Sequence, residues 1–135
     1  MPPVSTRAEE VGSLWHALKV KTSDSGSASF SAIQEVSREQ RKVTASLSPR
    51  TLLHETCALA AVLSTDGCVT RGDRVAVMLR NAPIHVVAQF AIAGVGGIAV
   101  SCNTRLTATE LRTQIADSGA NVIIADETFA HVVRE

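Results

Sequence analysis

Net charge is the first thing this chain lacks. Thirteen Lys and Arg residues balance 13 Asp and Glu residues, for a formal charge of +0. No global field then draws the chain to nucleic acid, to an anionic membrane or to acidic substrates. Lysine is confined to Lys19, Lys21 and Lys42, so beyond residue 42 arginine alone stands in its place. Cysteine is scarce as well: Cys57, Cys68 and Cys102 are an odd number with no C-x-x-C pair and no zinc spacing. Free thiols in a reducing compartment are the expectation. No apolar run is long and uninterrupted enough for a membrane span. The most apolar stretch, Val86–Val100, is broken by Gln89 and by glycines at 94, 96 and 97, and it reads as a buried helix followed by a buried strand. The first twenty residues lack the charged-then-apolar order of a secretory signal, and Glu9 and Glu10 argue against a mitochondrial transit peptide. A cytoplasmic location is expected, with peroxisome and mitochondrion as alternatives for which no clear signal is seen.

What is present falls into two parts, residues 1–47 and 48–135. Thr6-Arg7-Ala8-Glu9 has the form of a capping box, and Val11, Leu14, Trp15 and Leu18 follow at helical spacing. They predict an amphipathic helix over 7–19. Thr22–Ser29 reads as a loop, and Phe30–Val36 and Val43–Leu47 as two strands joined by the charged turn Arg38–Arg41. This first part is expected to pack loosely.

The second part is more regular. Ser48-Pro49 starts a helix, with serine as the cap and proline at the first helical position. Leu52, Leu53, Cys57, Ala60 and Leu63 recur on one face, and Asp66-Gly67 stops the helix. Gly72-Asp73 turns into a strand over Arg74–Leu79. Asn81 is the expected cap of a helix Ala82–Val95 with Pro83 in its first turn, and Gly96-Gly97 leads to a strand Ile98–Ser101. Thr107-Ala108-Thr109-Glu110 is a second capping box, with Leu106 placed to pack on Leu111 and with Leu111 and Ile115 facing inward. Gly119 suits a left-handed helix end. Asn121–Ala125 is a third apolar strand, and Asp126 caps a last helix carrying Phe129, Val132 and Val133.

Three apolar strands alternating with helices across short links predict an α/β fold. It is a parallel βαβαβ unit, a Rossmann-like three-layer subdomain, preceded by a helix and a β-hairpin. Helix Ala82–Val95 carries only His85 and Gln89 as clearly polar side chains, four apart on one stripe. It calls for burial on more sides than three strands offer.

Candidate sites are few. Gly94-Val95-Gly96-Gly97 has a helix before it and a strand after it, the reverse of a dinucleotide loop, so it reads as a helix stop. There is no G-x-x-x-x-G-K-[ST] loop and no G-x-S-x-G elbow. His54-Glu55 are adjacent on a helix and point in different directions, which favours a solvated face over an acid–base pair. His16, His85 and His131 are scattered, and no pair has the i, i+4 spacing of a helical metal site. Ser101-Cys102-Asn103 sits at the sheet edge where open α/β proteins tend to bind ligands, though a plain turn explains it. Asp73 and Asp126 read as turn and cap residues. No catalytic, cofactor-binding or metal-ligating residue is assigned.

The stretch Gly72-Asp73-Arg74-Val75-Ala76-Val77-Met78-Leu79-Arg80-Asn81-Ala82-Pro83 resembles the acyl-CoA synthetase and AMP-dependent ligase superfamily, whose members typically read G-D-R-V-A-[VI]-x-L-P-N here. Asn103-Thr104-Arg105-Leu106-Thr107, Glu110-Leu111 and Asp117-Ser118-Gly119-Ala120 continue the likeness, which is strongest over 70–126. Asn103-x-Arg105-Leu106 is closer to the CoA-ligase branch than to peptide-synthetase adenylation domains. Arg80, Ile84 and Thr104 depart from a common proline, glutamate and proline. The resemblance implies activation of a carboxylic acid by ATP and magnesium, then transfer of the acyl group to coenzyme A. It also implies that the phosphate loop, the nucleotide-binding segment and the catalytic lysine lie downstream of the matched part. None of those motifs is in this sequence, so ATP, Mg2+ and CoA are not expected to bind this chain.

The expectation is therefore an amino-terminal scaffold fragment of an acid–thiol ligase, inactive alone. Its expected partner is the remainder of such a ligase, with no nucleic acid and no transmembrane segment. Two alternatives stay open: a non-catalytic interaction module that uses the face of helix Ala82–Val95, and a small nucleotide-binding α/β protein.

Overall fold

The computed structural model describes residues 33–36, 43–65 and 68–135. The helix expected over 7–19, the loop Thr22–Ser29, the turn Arg38–Arg41 and the stop Asp66-Gly67 lie outside the described residues. Strands β1 (Ile33–Val36) and β2 (Val43–Leu47) pair antiparallel from Ile33 opposite Leu47 to Val36 opposite Val43, with a register shift between Glu35 and Val36. The expected hairpin pairing is present.

Helix α1 (Pro49–Ser64) begins as its sequence predicts: the Thr51 amide donates to the Ser48 hydroxyl oxygen at 3.1 Å, and Pro49 occupies a position whose N–H would have no partner. Its inward face differs from the expected one. Leu52, Thr56 and Leu63 are buried, whereas Cys57 is exposed. Counted from Leu52, residue 56 returns to within about 40° of the same face and residue 57 lies about 140° away. Helical geometry therefore admits the threonine and turns the cysteine out.

Strand β3 (Arg74–Met78) lies between β4 (Ile98–Ser101) and β5 (Val122–Ala125), both parallel to it, in the order β4-β3-β5. Val75 to Met78 are 0% exposed, as suits the central strand of a sheet covered on both faces. Side chains alternate along it. Val75, Val77 and Leu79 pack with Leu63 of α1 and with Ala88, Ala91 and Ile92 of α2 (Pro83–Gly94). Ala76 and Met78 pack on the other face with Leu111 of α3 (Ala108–Ser118), and Phe129, Val132 and Val133 join that cluster. A short 3-10 turn, Glu127–Phe129, leads into α4 (Ala130–Arg134). The chain steps from β3 to β4 in one direction and returns past β3 to β5. With crossovers of one hand, that reversal puts α2 and α3 on opposite faces. The three layers expected from the sequence are thus present.

Helix α2 corrects one expectation. Its cap is Ala82, with no side-chain hydrogen bond, not Asn81. Pro83 at the first helical position forces the preceding residue out of the helical region; Ala82 accordingly sits at φ −138° and ψ 164°. Asn81 is left one residue too early to cap. The cover that α2 calls for comes from β3 and β4, from α1 and from the hairpin. Cluster packing is tight where α2 turns into β4: a Cβ added to Gly97 would meet Ile92 Cγ2 at 3.0 Å and Val69 Cγ1 at 3.2 Å. Apolar surface stays open at Ile84 and at Ile98 of the edge strand β4, and every residue of β5 is half-buried.

At α3 the capping box forms in full. The Thr107 hydroxyl oxygen accepts from the Glu110 amide, and the Glu110 carboxylate accepts from the Thr107 amide at 2.8 Å. Leu106 and Leu111 share a cluster, the staple read from the sequence. Gly119 ends the helix at φ +67°.

Candidate functional site

An open parallel sheet offers its ligand site at the carboxyl ends of its strands, where the chain leaves adjacent strands toward opposite faces. Here both gaps beside β3 meet that description, because the residues after β3 lead to α2 on one face while those after β4 and β5 lead to α3 and to the 3-10 turn and α4 on the other; side-chain pairing spans the β3–β5 gap. The Asp126 amide donates to the Met78 carbonyl oxygen at 3.1 Å, which holds the two strand ends in register. Arg80 Nε then donates to Asp126 Oδ2 at 2.9 Å. The other carboxylate oxygen of Asp126 accepts from the Thr128 amide at 3.0 Å and from the Thr128 hydroxyl at 2.8 Å. Asp126 therefore caps, as expected, and also pairs with a residue 46 positions earlier. No local pattern signals that second role.

Three carboxylates are held below the usual carboxylate range, each by hydrogen bonds to its charged form. For Asp126 the Thr128 amide acts first, then the Thr128 hydroxyl and Arg80. For Asp73 the donors are the hydroxyl and amide of Thr70, both at 2.7 Å. For Glu110 they are the Thr107 amide and hydroxyl. A folded-state pKa below the unfolded one contributes stability that is present above the unfolded value and lost as pH falls through the folded value. Resistance to urea should then be level through neutral pH and decline once pH drops into and beneath the ordinary carboxylate range. A urea midpoint that is constant from pH 7 down to pH 2 would contradict this.

Other candidates from the sequence are dispersed. Asn103 Oδ1 accepts from the Arg105 amide at 3.0 Å, so the segment after β4 is a plain turn. Cys102 is buried, and burial pushes its thiol pKa up, away from nucleophilic use. Cys57 and Cys68 are exposed free thiols. His54 Nδ1 and Glu55 Oε1 are 3.9 Å apart with side chains 80% and 53% exposed, a solvated contact. His131 is exposed on α4, and His16 lies outside the described residues. Gln89 Nε2 lies 3.4 Å from His85 Nε2. An amide nitrogen only donates, so as the amide is oriented the ring proton belongs on Nδ1, which is buried and has no partner among the described residues. The Gly94–Gly97 segment ends a helix: Gly96 takes φ +79° and its carbonyl oxygen accepts from the Gly72 amide.

At the carboxyl edge the oxygens of Asp126 are engaged by Thr128 and by a cationic guanidinium; elsewhere Asp73, at the amino end of β3, is engaged by Thr70 and Glu110 by Thr107. Among the described residues, no three His, Cys, Asp or Glu side chains form a metal-holding group. No described helix is long and apolar enough to cross a membrane.

A three-layer parallel α/β unit with a bridged carboxyl edge is the class that fold and site define. The model of a family described as "AMP-binding enzyme" matches residues 31–135, and the chain belongs to that family. The long-chain-fatty-acid–CoA ligase of Escherichia coli O157:H7 is 38% identical over 86 residues, 64% of this chain and 15% of that protein. The enzyme of the same name from Bacillus subtilis is 41% identical over 73 residues, 54% of this chain and 13% of that protein. In fold, the chain is similar to a fatty acyl CoA synthetase of Mycobacterium tuberculosis, with a TM-score of 0.73 at 23% identity over 93% of this chain and 23% of that one. The chain thus spans about 15% of the length of the curated relatives it matches.

Proposed function

We propose that this chain is a scaffold section of an acyl-CoA ligase: it helps to shape the large substrate-binding part of such an enzyme and contributes no reacting group. One observation carries this. The family match runs over residues 31–135, yet at the edge where such a sheet would meet a ligand Arg80 is paired with Asp126, and the sequence has no phosphate loop. Stabilising the charge that develops on a transferred adenylyl group needs positioned cations and amides. Arg80 already has a partner, and the chain has no lysine after residue 42. ATP, Mg2+ and coenzyme A would accordingly be handled by parts outside these residues, and the partner of this unit is the rest of a ligase. Its exposed Ile84 and Ile98 and the half-buried β5 suit such packing.

The test is direct. The 135-residue chain, incubated with ATP, Mg2+, a long-chain fatty acid and coenzyme A, should release pyrophosphate at the rate of a no-protein blank. Fatty-acid-dependent release well above that blank would overturn the proposal.

A further inference from the structure

The chain leaves the ends of β3 and β5 toward opposite layers, and one ion pair joins the two departing segments. Several features make that pair a built contact. The Met78–Asp126 backbone bond fixes the separation of the strand ends. Thr128 holds one oxygen of Asp126 through two donors, and the other accepts from Arg80. Asp126 is largely covered, with its side chain 19% exposed, while the Arg80 side chain is 65% exposed and engages through Nε. A guanidinium presents five N–H donors and recognises carboxylate and phosphate oxygens alike. Arg80 stands where a parallel sheet would receive an anion, and it is already in contact with one supplied by the chain itself.

We infer that Asp126 acts as an internal anion and that the Arg80–Asp126 pair is a strap. The strap occupies the Arg80 guanidinium, so that it does not engage phosphate-bearing ligands, and ties the loop 79–82 to the turn Glu127–Phe129. This goes beyond the scaffold proposal and does not depend on it, since the readouts are exchange and ligand contact rather than turnover.

Asp126→Asn tests the strap with little disturbance to the fold. The asparagine oxygen can still accept from Thr128 and cap the turn, while its amide faces Arg80 with donors where an acceptor stood. Amide hydrogen exchange on the full chain should quicken by about two- to fivefold within 79–86 and 126–130, the size of effect an exposed ion pair can impose. Elsewhere exchange should be unchanged, which also reports that the variant is folded. Inorganic phosphate at millimolar concentration should shift the NMR amide signals of 80–86 in Asp126→Asn. It should leave wild type unmoved, along with the double variant Arg80→Ala/Asp126→Asn. Unchanged exchange, faster exchange spread evenly over the sheet, or equal phosphate shifts in wild type and Asp126→Asn would each overturn the strap. Phosphate shifts that persist in the double variant would show that Arg80 is not the group being held.

Discussion

Val77→Asp is expected to leave the chain without a cooperative unfolding transition under conditions where the wild type has one. Val77 is 0% exposed on the central strand, in a cluster with Val75, Leu79, Leu63, Ala88, Ala91 and Ile92. The described residues of that cluster are all apolar, so the carboxylate would be buried among them unpaired or would have to take up a proton. An uncompensated buried charge costs roughly 3–5 kcal/mol, added here to the lost packing of the valine. Small domains hold only about 5–15 kcal/mol in all. Far-UV circular dichroism during a urea titration reads the result. A transition near the wild-type midpoint would mean that the α1–α2 side of the sheet is far looser than described.

Met78→Ala tests the opposite face and should cost about 2–5 kcal/mol. Met78 is 0% exposed and packs with Ala76, Cys102 and Leu111, with Ile115 and Phe129 at the periphery of the cluster. Both flanking layers are anchored to strands that pair with β3, which limits how far they can collapse into the space left behind. The urea midpoint should fall while the slope of the transition stays that of the wild type, because the change removes contacts and not the folded unit. A loss below about 0.5 kcal/mol, the range of surface substitutions, would show that the α3 layer does not bear on β3. Together the two variants ask whether both faces of one strand are cores, as the alternation Val75, Ala76, Val77, Met78 requires.

Much of this fold was legible because its signals are local. Ser48 with Pro49 and Thr107 with Glu110 each lie within one helical turn, so the cap is written in neighbouring residues and forms as read. Gly119 takes the left-handed conformation its position called for. The near misses have equally plain causes. Cys57 recurs at helical spacing with Leu53 and Ala60, but the buried face is set by the angle from Leu52 and Leu63, and Thr56 fits it. Asn81 is the better capping residue by type, yet Pro83 decides which residue precedes the helix.

At the candidate site, sequence was informative about each residue singly and silent about their meeting. Asp126 was recognisable as a cap because Thr128 is two residues on. Its contact with Arg80 spans 46 positions, and neither residue carries a mark of the other. Likewise the turn role of Asn103 was readable from its neighbours, whereas the burial that raises the Cys102 thiol pKa comes from α3 and β3 packing around it.

By itself the sequence determined the alternation of strand and helix, the helix starts at Ser48 and Thr107, the parallel class of the sheet and the likeness to acyl-CoA ligases. All of these rest on period, propensity and short-range chemistry. Only the tertiary structure decided that β3 lies between β4 and β5, which helices share a face and that an arginine after β3 pairs with an aspartate after β5. Those depend on which distant segments come within contact distance, and hydrophobic pattern says that a residue is buried without saying against what.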